Sequence, residues 1–112
     1  MGYYERMEII IVREPTSQET RSAAFYFANL GADVARCASA IQHGDDARYD
    51  DSLSRAYRTL GELRKTSRPE AYEEGLLMLR GLALARATPE ALAPFQISLD
   101  SLIGALLTRS TV

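Results

Sequence analysis

The sequence lacks tryptophan and contains only one cysteine and one histidine among its 112 residues. The single cysteine, Cys37, cannot form a disulfide within the chain, so nothing indicates an oxidising compartment. The single histidine, His43, excludes a di-iron carboxylate bundle, which needs two Glu-x-x-His segments. No other cofactor motif is present, and we predict that the protein binds no cofactor.

Long apolar segments and an excess of one charge are also missing. The run at residues 9–12 contains four apolar residues, too few for the core of a signal peptide or for a bilayer span. The formal net charge is -2, from 13 basic and 15 acidic residues, which creates no field that would attract nucleic acid. We therefore expect a cytoplasmic protein that binds neither membrane nor nucleic acid.

Helical periodicity is the strongest pattern in the chain. Apolar residues recur at alternating steps of three and four, as in Phe27, Leu30, Val34, Cys37 and Ile41. This spacing predicts an all-α domain over residues 16–112, a four-helix up-down bundle with short connections. The four predicted helices span residues 17–43, 46–65, 68–87 and 94–109.

Capping residues set the predicted helix ends. Gly44 is typical of a left-handed C-terminal cap on the first helix. Ser67 and Glu70 have the spacing of a capping box at the start of the third helix. After a short turn at 89–93, Pro94 should begin the fourth helix, because proline breaks a helix interior. N-caps of the first two helices are predicted at Thr16 or Ser17 and at Asp45 or Asp46.

The N-terminal arm, residues 1–15, breaks the helical pattern. Its β-branched residues favour a strand over 7–13, and no later segment resembles a strand that could pair with it. An unpaired strand leaves backbone donors and acceptors without partners. The arm therefore either lies on its own bundle or pairs with the same arm of a second chain about a two-fold axis. The residues expected to form this oligomer contact are Ile9, Ile10, Ile11 and Val12.

The third predicted helix is apolar around most of its circumference. One stripe contains Tyr72, Leu76, Leu79 and Ala83, and other sides carry Leu77, Met78, Leu82 and Leu84. In a small bundle such a helix contributes to an interface as well as to the core. The arm and this helix together predict a non-catalytic interaction module that forms a homo-oligomer, a dimer in the simplest case.

Arg36 and His43 suggest an alternative with catalytic activity. They are seven residues apart on the first helix, which places them near one stripe at ~10 Å along the axis. An arginine followed by six residues and a histidine resembles the motif of HEPN ribonuclease domains, which are small, usually dimeric helical bundles. The resemblance implies that Arg36 stabilises phosphate and His43 acts in acid-base cleavage. Cys37 departs from the motif, which typically has a polar residue there, and His43 could instead cap the first helix.

Two further polar groups could bind a ligand between helices. Asp46 and Asp50 share a helix face and could hold a divalent cation, although acidic residues at a helix start are also favoured by the helix dipole. Asn29, Asp33 and Arg36 form a polar stripe on the first helix, in which Asp33 and Arg36 are expected to pair. A small-molecule or metal-binding bundle is therefore a third hypothesis.

A general resemblance covers about half of the chain. Residues 29–36, then Gly44 and Asp45, then Arg55, Ala56 and Leu60, resemble small bacterial helical proteins of unassigned function. The resemblance implies an all-α fold and no particular activity.

Overall fold

The computed structural model describes residues 22–111, with side chains described to residue 105. This part of the chain forms four α-helices and one 3-10 turn and contains no strand. The all-α prediction is confirmed. The predicted arm, its strand at 7–13 and residues 9–12 lie outside the described residues. The helices are α1 (Ala23–His43), α2 (Asp46–Arg64), α3 (Pro69–Ala87) and α4 (Leu92–Thr111), with the turn at Pro89–Ala91 between the last two.

Helix α1 begins six residues later than the sequence predicted. Ser22 is extended, with φ -81° and ψ 165°, and its Oγ accepts a hydrogen bond from the Phe25 amide at 3.1 Å. Ser22 therefore caps α1, and the predicted caps Thr16 and Ser17 lie outside the described residues.

The turn between α1 and α2 has the predicted caps. Gly44 adopts φ 68°, and its amide binds the Ile41 carbonyl at 3.1 Å. The Asp45 amide binds the Ala40 carbonyl at 2.9 Å, which completes a Schellman motif. The Asp45 carboxylate then accepts from the Arg48 amide at 3.0 Å and caps α2. So short a connection makes α1 and α2 an antiparallel hairpin.

The starts of α3 and α4 differ from prediction, both because of proline. Arg68, not Ser67, is the N-cap of α3, and no side chain caps it. Pro69 favours an extended conformation for the preceding residue, which fixes the boundary at Arg68. Helix α4 begins at Leu92, two residues before Pro94, because the first turn of a helix needs no amide hydrogen and tolerates proline.

Helix α1 is the centre of the packing. It contacts α2, α3 and α4, and α3 also contacts both α2 and α4. Within residues 22–111, α2 and α4 do not contact each other. The up-down order of all four helices stays a prediction. The fully buried large side chains come from the first three helices and are Leu30, Val34, Cys37, Leu63 and Leu82.

Gly75 allows the first three helices to approach closely. A Cβ atom at this position would lie 2.8 Å from Leu30 Cδ2 and 3.0 Å from Leu60 Cδ1. Atoms of buried side chains do not tolerate contacts this short without displacement. The absence of a side chain at Gly75 therefore sets the distance between α3 and the α1–α2 hairpin.

Gly61, unlike Gly75, has room for a side chain, and we predict that Gly61→Ala stabilises the protein. It is exposed on α2, and a Cβ there would meet no atom within 4 Å. Alanine restricts the unfolded chain and favours helix, so the free energy of unfolding should rise by about 0.5–1 kcal/mol. Urea denaturation measures the change, with Gly75→Ala as the control that should lose stability. A loss of stability in Gly61→Ala would contradict the packing described.

Candidate functional site

Six polar side chains line an open cleft between α1 and α2. The cleft has a volume of about 420 Å³. One wall is α1, whose polar residues recur at steps of four and three, and the other is the middle of α2. We call this feature the polar cleft. Its lining residues are Asn29, Ala32, Asp33 and Arg36 from α1, and Arg55, Arg58 and Thr59 from α2.

An ion pair with one buried member lies in the polar cleft. Arg36 Nη1 donates to Asp33 Oδ1 at 2.7 Å, as the sequence predicted. The Asp33 side chain is almost fully buried, whereas the Arg36 side chain is 50% exposed. Because a buried carboxylate needs a charged or hydrogen-bonding partner, Asp33 holds the Arg36 guanidinium at the cleft wall. The other four N–H donors of the Arg36 guanidinium do not take part in this hydrogen bond.

The α2 wall adds two further guanidinium groups. Arg55 Nη2 binds Asp51 Oδ2 at 2.9 Å, one turn away on the exposed surface. Arg58 is exposed and forms no ion pair with another described residue. The lining of the cleft therefore combines three cations with the single carboxylate of Asp33, and its local charge is positive although the whole chain is weakly acidic.

His43 is not part of the polar cleft. Its Nδ1 lies 2.8 Å from the Ser39 carbonyl oxygen in the last turn of α1, a distance that suits an N–H donor to a carbonyl at the helix end. This contact lies near the C-terminal end of α1, where the sequence suggested that His43 could act as a capping residue. Arg36 lines the cleft and His43 does not, so nothing in this geometry supports the pairing that the HEPN resemblance implies, and the ribonuclease activity stays a prediction.

The two aspartates considered for a cation face an arginine that sequence reasoning missed. Arg86 of α3 lies 3.5 Å from Asp46 and 3.9 Å from Asp50. Its guanidinium also lies over the Tyr49 ring, 3.9 Å from the centroid, where a cation is attracted to the ring face. Residues 22–111 contain no group of three or more acidic, histidine or cysteine side chains placed to hold a metal. Arg86 therefore occupies the position proposed for a cation, and it links the start of α2 to the end of α3.

Cys37 has the environment of a core residue. Its side chain is fully buried, and its Sγ lies 3.8 Å from the Tyr49 carbonyl oxygen. Burial, with a smaller contribution from the charge on Asp33, raises the pKa of the Cys37 thiol to about 11. The thiol stays protonated at neutral pH, which confirms the prediction of a small buried residue over a reactive one.

The second candidate surface is the side of α3 that faces away from the core. Four exposed residues at steps of four, three and four form this outer face of α3: Glu73, Leu77, Arg80 and Leu84. Leu77 is 55% exposed and Leu84 is 60% exposed. The core side of the same helix holds Met78, Leu79 and Leu82. The helix is thus apolar on two opposite sides, as its sequence indicated.

Neither the hydropathy of the described helices nor a comparison with known proteins identifies a function. No helix within the described residues has the length and apolar character that a bilayer span requires. No family model, curated protein or solved structure matches the chain at a significant level.

Proposed function

We propose that the protein is a non-catalytic module that forms a homodimer through the outer face of α3. The observation that carries this proposal is the pair of leucines, Leu77 and Leu84, each more than half exposed on a helix whose other side already builds the core. Burying a leucine side chain contributes about 1.5–3 kcal/mol, and the monomer leaves most of that contribution unused at both positions.

The charges on the outer face favour a second copy of the chain as the partner. Glu73 and Arg80 are seven residues apart, both exposed, and neither forms an ion pair within the described residues. In an antiparallel pair of α3 helices centred between Leu76 and Leu77, Glu73 of each copy lies opposite Arg80 of the other. A two-fold interface repeats every contact, so one such register makes two ion pairs around a central leucine contact.

The N-terminal arm would form a second contact between the two chains of the proposed dimer. Residues 9–12 lie outside the described structure, and their β-branched sequence favours pairing with the same segment of another chain. The chain enters α1 at Ser22. A variant that lacks residues 1–14 separates the two contributions, because dimers that persist in it depend on α3.

Sedimentation velocity over a range of concentrations tests the α3 interface. The natural chain should dimerise, and Leu77→Glu should dimerise much more weakly because the substitution places two carboxylates at the centre of the contact. Tyr57→Glu is the matched control, since Tyr57 is 56% exposed on α2 and does not belong to the outer face of α3, and this variant should still dimerise. Circular dichroism establishes that both variants stay helical.

A charge exchange tests the register. Glu73→Arg and Arg80→Glu should each weaken dimerisation by about tenfold or more, because each brings like charges together at two sites. The double variant restores opposite charges and should recover most of the affinity. A natural chain that is monomeric at every concentration would disprove the proposal. Equal weakening in the single and double variants would disprove the register.

A further inference from the structure

The polar cleft contains the groups with which proteins bind anionic oxygens. Arg36, Arg55 and Arg58 supply guanidinium groups from two helices, and Asn29 and Thr59 add an amide and a hydroxyl that can donate hydrogen bonds. Guanidinium groups bind phosphate oxygens with paired hydrogen bonds. We propose that the polar cleft binds a small phosphorylated molecule, an activity that is separate from dimerisation through α3.

Arg36 and Arg58 support this assignment, whereas Arg55 already binds Asp51 at 2.9 Å. Arg36 is held by the buried Asp33 at 2.7 Å, so its position is fixed before a ligand arrives. Arg58 forms no ion pair with any described residue, although it lies beside two other cations. Like charges that share a cleft repel one another, and a phosphate group between them relieves that repulsion. Arg58 is therefore the residue whose interactions a ligand would complete.

The size of the cleft favours a small molecule over a nucleic acid. Its volume of about 420 Å³ lies in the range of small-ligand sites. Binding a polynucleotide needs a cationic surface that follows many phosphates, and this chain carries a formal net charge of -2. The positive charge is concentrated in one cleft, which suits one or two phosphate groups on a compact molecule.

Titration calorimetry with inorganic pyrophosphate at low ionic strength tests the proposal on the full chain. We expect saturable binding with one site per chain. Arg58→Ala should weaken it by about tenfold or more, because a hydrogen bond to a charged group is lost. Arg58→Lys should weaken it less, since the charge remains while the paired donors are lost.

Arg64→Ala is the matched control for this experiment. Arg64 is exposed at the end of the same helix but does not line the cleft, so its removal changes the net charge equally without removing a ligand contact. Pyrophosphate affinity that falls as much in Arg64→Ala as in Arg58→Ala would overturn the proposal, as would a natural chain that does not bind pyrophosphate. Binding of single-stranded RNA without binding of pyrophosphate would assign the cleft to nucleic acid and also overturn it.

Discussion

Leu30→Ala should lower the free energy of unfolding by about 2–5 kcal/mol. Leu30 is fully buried in α1, the helix that contacts all three others, and its Cδ2 lies against Gly75 of α3. Truncation removes buried methyl groups and leaves a cavity among residues that cannot all close around it. For a domain of this size the loss is a large fraction of the total stability. Urea denaturation followed by circular dichroism measures it.

The same substitution should reduce the stability cost of Gly75→Ala. In the natural chain a Cβ at residue 75 meets Leu30 Cδ2 at 2.8 Å, and the resulting displacement should cost about 1–3 kcal/mol, partly offset by higher helix propensity. In Leu30→Ala that methyl group is absent and the added Cβ fills part of the cavity. Gly75→Ala should therefore cost less, or stabilise, in the Leu30→Ala background. Additive losses would contradict the contact between these two residues.

Cys37 should react with a thiol reagent at least ~100-fold more slowly in the native chain than in the unfolded chain. Burial raises the pKa of the Cys37 thiol from 9.0 to about 11, and each pKa unit lowers the thiolate fraction about tenfold below the pKa. Full burial of the side chain slows the reaction further. Absorbance with an aromatic disulfide reagent, with and without denaturing urea, measures the ratio. Similar rates in the two states would show that the thiol is accessible.

The raised pKa of Cys37 also has a consequence for stability at high pH. A proton is held more tightly by the folded state than by the unfolded state, so the contribution is complete below pH 9 and is lost as the pH rises from 9 to about 11. Cys37→Ala is the control, because it removes the thiol. Its Tm should fall less over this interval than that of the natural chain.

The helices were predictable because their signals are local. The steps of three and four in the apolar residues, and the glycine at residue 44, depend on neighbours within two turns of the same helix. The start of α1 was not predictable in the same way, because Ser17 and Ser22 are equally suitable caps. Ser22 caps α1 five residues before Phe27, the first residue that the helix buries.

The candidate sites also differ in whether their contacts form within one helix or between helices. The Asp33–Arg36 pair joins residues three apart, which any helix brings together. The contact between Arg86 and Asp46 joins residues 40 positions apart, and only the packing of α3 against α2 creates it. The polar cleft likewise needs the rotation of α2 relative to α1, which the sequence of neither helix specifies. The exposed side of α3 could be predicted, because apolar residues surround the helix and one side must face outward.

The absence of contact between α2 and α4 in the described chain has a consequence for how the molecule can move. A displacement of α4 reaches α2 only through α1 or α3. The polar cleft lies between α1 and α2, and none of its lining residues belongs to α4. Local unfolding of α4 would therefore remove no lining residue from the cleft, and it would reach the cleft only through the contacts of α4 with α1 and α3.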